Sequence, residues 1–355
     1  MTHSITLGGA VDTAESNRQA AARIVGAVRG AIAPTHRGAV DELAPSMRHM
    51  AGYHIGWWDE RGQPTDAAGK AFRPAFTVSS ARAVGGDAAA ERATVLNAAV
   101  AVELLHDFTL IHDDVMDGDH LRRGRPAAWT VFGSGQAILV GDALLTLAHS
   151  LLAEDAQCGP MTTVLAQATL ELYAGQSNDL AFEQSMEVTP AQCLSMIEGK
   201  TGALLGVSCE LGALAAGAEP ALAQHYRDFG RQLGLGFQLI DDLMGIWGPS
   251  EVTGKPQGSD LQSRKKSFPV VTAMRSGTPA SARLIELYRR PEPFSDTEIA
   301  TVADLVEEAG GREITRTEAT ACATAALAAL DRAQPRDAGA GELRVLARSV
   351  LERTR

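Results

Sequence analysis

The chain has no excess of positive charge. Its 32 Lys and Arg face 43 Asp and Glu, a net charge of −11. That balance excludes the basic footprint a nucleic-acid partner requires, although local basic clusters on an acidic protein can still hold small anions. Cysteine is scarce. The four residues, Cys158, Cys193, Cys209 and Cys322, show no CxxC or metal-like spacing, so they read as small buried apolar groups in a reducing compartment. The N-terminal MTHSITLGGAVDTAE has neither a basic head nor an apolar run, which argues against a signal peptide. No run of about 20 apolar residues is evident, so no membrane span is expected. Alternating strands bounded by turns are missing, as is any 20–50-residue repeat. These absences predict a cytoplasmic protein that is not built from sheets.

What is present is helical signal, on a chain of 355 residues with an apolar fraction of 45%, long enough for a deep core. TPAQ (189–192) and SDTE (295–298) read as capping boxes, the first with proline at the first helical position. Val95, Ala99, Val102, Leu105, Phe108 and Val115 fall near helical spacing, which predicts one long helix from Asp87 to about Asp117. QAILVGDALLTLAHSLLA (136–153) is apolar on most sides and is expected deep inside. GALLGVSCELGALAAGA (202–218) is similar, with small residues that let helices approach closely. Loops are expected over 54–74, 118–126, 247–267, 289–296 and 334–342, and none resembles a domain linker. The first dozen residues, 1–12, read as disordered, and 13–355 as a single all-α domain.

One stretch stands apart. HDDVMDGDHLRRGRP (112–126) packs four aspartates and three arginines into fifteen residues. On a helix, Asp113 and Asp117 share a face one turn apart and repel, while Asp114 points about 100° away. Clusters of carboxylates alone suit Mg²⁺, a hard cation that keeps several waters. A solvated acidic helix end is the bland alternative, yet acid at a helix C-terminus opposes the dipole. A second acid pair, Asp241 and Asp242, interrupts the apolar LGLGFQLIDDLMGIWG. Buried carboxylates need a cation or a donor, and two such helices in one chain can face each other and share metals.

Basic residues sit in loops beside both acid pairs. Lys70 and Arg73 lie in GKAFRP, and Arg122, Arg123 and Arg125 follow the first acids. Lys200 and Thr201 open KTGALLG, Lys255 lies in TGKPQGSD, and Arg264, Lys265 and Lys266 in SRKKSFP. Arg forks and Lys point charges are what phosphate oxygens need. Acid and base belong together if metal ions bridge the aspartates to a diphosphate, whose departure the metal assists as a Lewis acid.

These blocks resemble the trans-polyprenyl diphosphate synthases, the head-to-tail prenyltransferases. The likeness runs from about Gly69 to Pro269 through GKAFRP, ELLHDFTLIHDDVMD, LRRGRPA, AILVGDALL, GKTGALLG, GFQLIDDLMG and GKPQGSDL, in the family's order. It implies an all-α isoprenoid synthase fold, usually a homodimer, with helices around a central apolar cavity. It also implies roles: Asp113 and Asp117 as ligands of two Mg²⁺ ions and Asp241 of a third, with Asp114 and Asp242 supporting. Arg122, Lys200, Lys255 and Lys265 would contact the allylic diphosphate. Lys70, Arg73, His106 and Arg123 would form the site for isopentenyl diphosphate. Thr201 and Gln238 would orient the reacting allyl group. His106 read alone is a core histidine, but it lies two turns before Asp113 on the same face.

The implied reaction is loss of diphosphate to leave an allylic cation, attack by the double bond of isopentenyl diphosphate, and loss of a proton. The protein positions the partners and excludes water. Phe108, about 7.5 Å along the axis before Asp113, could plug the product tunnel, with the smaller Thr109 beside it. One aromatic there resembles enzymes making C20 chains, with C15 next. Three departures from the family pattern are visible: Gly245 in place of a third aspartate, RKKSFP in place of a glycine-lysine-threonine stretch, and one glycine and one basic residue missing around GKAFRP. Two rivals stay open. One is a class I terpene cyclase on the same scaffold, which needs only one diphosphate site. The other is a non-catalytic subunit that regulates a prenyl synthase.

Overall fold

A computed structural model describes residues 14–65, 67–153, 158–250 and 256–351. The stretch 1–12 and Lys255 lie outside the described residues. In chain order the elements are α1 (Ala14–Asp41), α2 (Pro45–Ile55), α3 (Phe72–Gly85), the single turn α4 (Asp87–Ala90) and α5 (Ala93–Met116). A hairpin of β1 (Leu121–Arg122) and β2 (Arg125–Pro126) follows, then α6 (Ala128–Phe132), α7 (Ser134–Ala153), α8 (Cys158–Glu183) and α9 (Pro190–Ile197). A π-turn (Glu198–Gly202) leads into α10 (Ala203–Ala215). The chain continues with α11 (Pro220–Trp247), α12 (Ser259–Gln262), α13 (Phe268–Met274), α14 (Pro279–Arg289), α15 (Asp296–Glu308), α16 (Gly311–Arg332) and α17 (Asp337–Leu351). The fold is all-α. Beyond the two-residue hairpin, one isolated bridge, Trp58 to Pro64, is the strand-like pairing among the described residues.

Helix α5 is the axis of the molecule. Val95, Ala98 to Val102, Leu104 and Leu105 have no exposed surface, so protein covers it on all sides until its last turns. The expected single helix from Asp87 is divided. Left-handed Gly86 precedes α4, and the extended Arg92 separates α4 from α5. The break lets Ala89 pack against Gly85 of α3, where a side chain would collide with it. Both capping boxes form: Thr189 with Gln192, and Ser295 with Glu298. Helix α17 starts inside the expected loop 334–342, because Gly339 lets it lie directly on the backbone of Ala83.

Helix α7 corrects a second expectation. Ala137, Val140, Leu144, Ala148 and Leu152 are buried, but Ile138 and Leu139 are 43% and 54% exposed, so one apolar face looks outward. Helices α5 and α7 are also long and apolar enough, by length and composition alone, to cross a membrane. In α5 that apolar surface is covered by the protein itself, because it is the core helix around which the others pack. Three cysteines, Cys193, Cys209 and Cys322, are buried and free, and burial holds the thiols of Cys209 and Cys322 up at about 12.

The remaining helices approach one another through glycine. Gly212 of α10 faces the Thr77 carbonyl of α3, and Gly230 of α11 faces the Leu205 carbonyl of α10. A main core is built around α5, α10 and α11, and a smaller one around α12, α14 and α15. Helix α13 joins them, with Phe268 and Val271 in the first and Val270, Ala273 and Met274 in the second. Gly230→Ala is expected to destabilise the fold by about 1–3 kcal/mol through overpacking. In Gly26→Ala the new methyl meets nothing within 4 Å, and it should stabilise α1 by about 0.5–1 kcal/mol. Urea titration of the two variants checks the opposite signs.

Candidate active site

The last two turns of α5 emerge from the core carrying Asp113, Asp114 and Asp117. Asp114 is fully buried. Its Oδ1 accepts from Arg122 Nε at 2.8 Å and from the second guanidinium nitrogen of the same arginine. The acid is therefore tied to the hairpin, and Arg122 is already committed to a carboxylate. Among the described residues, Asp113 and Asp117 have no such partner. Burial, and then the charges of Asp117 and Asp179, push the Asp113 carboxyl up to about 6 against Lys200 and Arg122. Burial also raises Asp117, with Asp179 and Asp119 adding to it and Lys200 opposing.

A second wall is supplied by α8, the π-turn and α11. Gly175 of α8 packs against the backbone of Lys200, and Gly199 against the carbonyl of Glu171. This close approach puts Lys200 Nζ 2.7 Å from Asp179 Oδ2. A π-turn at such a place fits the tendency of these bulges to mark functional sites. Next along it, Thr201 Oγ1 donates to Gln238 Oε1 at 3.2 Å, and Gln238 Nε2 donates to Asp242 Oδ1 at 3.1 Å. Asp242 is buried; its Oδ2 accepts the Phe268 N–H at 3.0 Å, and Lys265 Nζ lies 3.6 Å from its Oδ1. Thr201, Gln238 and Asp242 thus brace three segments against one another, while Asp241, the next residue on α11, is exposed.

Asp179 links the two acid clusters electrostatically. Asp179 acts electrostatically on Asp113 and Asp117 at one end and on Lys265 at the other, and Lys265 also feels Asp242, Asp260 and Asp241. These carboxylates hold the Lys265 ammonium well above its usual range, against its burial. Gly245, the departure in the second motif, has a structural reason. A side chain there would run into the carboxylate of Asp260, so that carboxylate fills the place of the missing one.

A second, basic pocket lies further back along α5, around His106. In the hairpin turn, Arg123 and Gly124 both have positive φ, 54° and 74°, as a two-residue I′ loop demands. Arg123 Nη2 comes within 2.9 Å of where a side chain on Gly69 would start, so GKAFRP and LRRGRP meet. His106 lies half-buried beneath them; desolvation of its ring, then Arg73, Arg123 and His54, hold it neutral, and among the described residues its Nδ1 has no hydrogen-bond partner. Lys70 is exposed at the rim. Beneath lie two acids, Glu103 and Asp107. Arg123 Nη2 is 3.8 Å from Asp107 Oδ1, and His54 Nε2 is 3.9 Å from the same oxygen. Burial raises both carboxyls and drives His54 down to about 3. Arg122, Arg123, Arg125, Tyr53 and His54 line the opening.

The structure therefore brings together Asp113, Asp117, Lys200, Thr201, Gln238, Asp241, Asp242 and Lys265 at one centre, and Arg73, His106 and Arg123 at another. Phe108 packs edge-on against His112 and Tyr173, with ring centroids 4.7 and 5.9 Å apart. Thr109, beside it, spends its hydroxyl on the carbonyl of His106. The sequence reading missed Asp179, Asp260, Glu103, Asp107 and His54. Asp179 lies in NDLAFEQSME (178–187), outside the blocks that carry the resemblance. Asp107 stands inside the quoted ELLHDF block, but nothing in the sequence pairs it with His54, 53 positions earlier.

Among the described residues no three His, Cys, Asp or Glu converge into a ready-made cage. An ion that completes its shell with water and phosphate needs only one or two carboxylates, and the all-oxygen set of Asp113, Asp117 and Asp241 fits Mg²⁺ in that mode. The same crowding predicts a stability effect. The folded pKa of Asp113 exceeds its ordinary 3.8, so its charge works against folding once pH passes from about 4 to about 6. Asp113→Asn should gain stability relative to wild type across that window, reaching on the order of 1–2 kcal/mol and staying level above it. Thermal unfolding between pH 4 and 8 without metal reads the difference; no gain at pH 7 would contradict the crowding.

Comparisons with known proteins converge on one family. The polyprenyl synthetase family model matches residues 62–306. The (2E,6E)-farnesyl diphosphate synthase of Mycobacterium tuberculosis is 42% identical over 336 residues, covering 93% of this chain and 92% of that protein. The geranylgeranyl diphosphate synthase of the same organism is 44% identical over 299 residues, 83% and 84% of the two chains. The crystal structure of a polyprenyl synthetase from Streptomyces coelicolor A3(2) superposes with a TM-score of 0.87 at 43% identity, covering 93% of this chain and 99% of that one. With the matched region spanning both acid clusters and both basic loops, the chain belongs to the polyprenyl synthetase family.

Proposed function

We propose that this protein is a Mg²⁺-dependent prenyltransferase that joins isopentenyl diphosphate to an allylic diphosphate and releases a short trans-prenyl diphosphate. The reading is supported by two carboxylate clusters linked electrostatically through Asp179, with a separate arginine-histidine pocket near them. Asp113 and Asp117 would hold two Mg²⁺ ions and Asp241 a third, and the metal would supply Lewis-acid assistance to the departing diphosphate. Lys200, Lys265 and Lys255 take the remaining oxygens of the allylic diphosphate, and Arg122 adds positive charge there while holding Asp114. Lys70, Arg73, Arg123 and the neutral ring of His106 hold isopentenyl diphosphate. Thr201 and Gln238 direct hydroxyl and amide dipoles at the reacting allyl carbon, and the apolar walls keep water away from it.

The second anion pocket favours condensation over cyclisation, because a cyclase has one diphosphate to bind. Intact acid clusters speak against a purely regulatory subunit. For product length we favour C20, with C15 as the alternative; relatives named for both products resemble the chain over most of its length. Phe108, backed by His112 and Tyr173, is the plug in this reading. The exposed Ile138 and Leu139 of α7 and Leu170 and Tyr173 of α8 form an apolar face that suits a homodimer. We read 13–355 as one synthase unit, because α13 serves both cores, and its free buried thiols agree with a cytoplasmic setting.

Incubation with isopentenyl diphosphate, geranyl or farnesyl diphosphate and Mg²⁺, followed by sizing of the products, is expected to give C20 diphosphate. Cyclic hydrocarbon made without use of isopentenyl diphosphate would favour the cyclase. Asp241→Ala should lower turnover by at least about 10²-fold with the fold retained. Phe108→Ala should lengthen the product, and an unchanged length would clear Phe108 of that role.

A further inference from the structure

The turn that presents Lys265 is held open by an arginine in a conformation that favours glycine. Arg264 has φ +57°, a left-handed position that costs a branched side chain on the order of 1–2 kcal/mol. Its backbone N–H donates to Leu261 O at 2.9 Å, and the next N–H, that of Lys265, donates to Asp260 O at 2.8 Å. The reversal turns Lys265 toward Asp242 and Asp260, at 3.6 and 3.9 Å. Lys266, one residue on, reaches away to the Glu183 carbonyl at 2.7 Å.

What keeps Arg264 in this conformation is its own side chain. Nη2 donates to Leu287 O at 2.6 Å and Nη1 to Glu292 O at 2.8 Å, while the guanidinium carbon lies 4.3 Å over the Phe294 ring and 5.7 Å from that of Tyr288. All four partners belong to the end of α14 and the loop after it, on the edge of the smaller core. A planar fork that meets two carbonyls and an aromatic face fixes the direction of the main chain as no flexible ammonium can. We propose that Arg264 is a positioning residue: its anchorage to the smaller core holds the left-handed turn that aims Lys265 at the allylic diphosphate. The inference rests on the assignment of Lys265 given above.

Steady-state kinetics with geranyl diphosphate and isopentenyl diphosphate test it on four variants. Arg264→Ala loses the anchor and keeps the unfavourable backbone; KM for geranyl diphosphate should rise about tenfold, with KM for isopentenyl diphosphate within about twofold of wild type. Arg264→Gly loses the anchor but adopts positive φ freely, and should recover to within about threefold of wild type. That rescue is what a purely structural arginine would not give, since for packing alone glycine is no better than alanine. Equal impairment of the two variants, a parallel rise of both KM values, or no change in either overturns the proposal. If Arg264→Ala does not fold, Arg264→Lys, with one ammonium in place of the fork, replaces it and should show the same selective rise. Lys265→Ala separates the two readings. A normal KM for geranyl diphosphate in that variant removes the assignment of Lys265 and the proposal with it, whereas a raised KM there with a normal Arg264→Ala removes the proposal alone.

Discussion

Like charge gathered at the end of the core helix governs this protein. Burial, with Asp117 and Asp179 adding to it, pushes the Asp113 carboxyl up to about 6, so its charge is unwelcome there without a cation. Two lysines, Lys200 and Lys265, offset part of it. The rest is available to divalent ions, and a diphosphate is the ligand that lets such ions bind from both sides at once. Buried carboxylates that are instead tied to protein groups, Asp114 through Oδ1 on Arg122 and Asp242 on Gln238, Lys265 and the Phe268 N–H, serve as struts.

The scaffold explains how such a cluster is held. Helices that meet through Gly175, Gly199, Gly206, Gly212 and Gly230 bring backbone against backbone, so the walls have little room to relax away from the repulsion. A rigid site is what orientation of two diphosphates requires, because small displacements of reacting carbons are costly. The hairpin is fixed in the same way beside α5. Positive φ at Arg123 and Gly124 turns one arginine onto Asp114 and the next over Asp107 and toward GKAFRP.

Much of this was legible in the sequence, and the limits are instructive. Helical spacing, capping boxes and the i, i+4 placement of Asp113 and Asp117 are local properties, and they were readable as such. The pairing of the two acid clusters was an inference from cost, since carboxylates in apolar helices need partners. What local pattern could not give was partnership across the chain. Asp114 and Asp113 are neighbours with the same side chain, and only the hairpin's return decides that one is a strut. Gly245 looked like a loss until Asp260, fifteen positions on, proved to occupy its space. Arg264 looked like a departure from a glycine-bearing stretch, and only its reach to α14 shows why an arginine is tolerated. Helix α7 was expected to be buried because apolarity does not say what covers it; its outer face is left for another surface.

The central claim is that both acid clusters hold metal around one diphosphate. Crystals soaked with Mn²⁺ and inorganic pyrophosphate, with data collected at the manganese edge, test it directly. The account predicts anomalous peaks at Asp113 and Asp117 and another at Asp241, bridged by a single pyrophosphate that Lys200 and Lys265 also touch. Manganese at only one cluster, or pyrophosphate bound away from both, would contradict it.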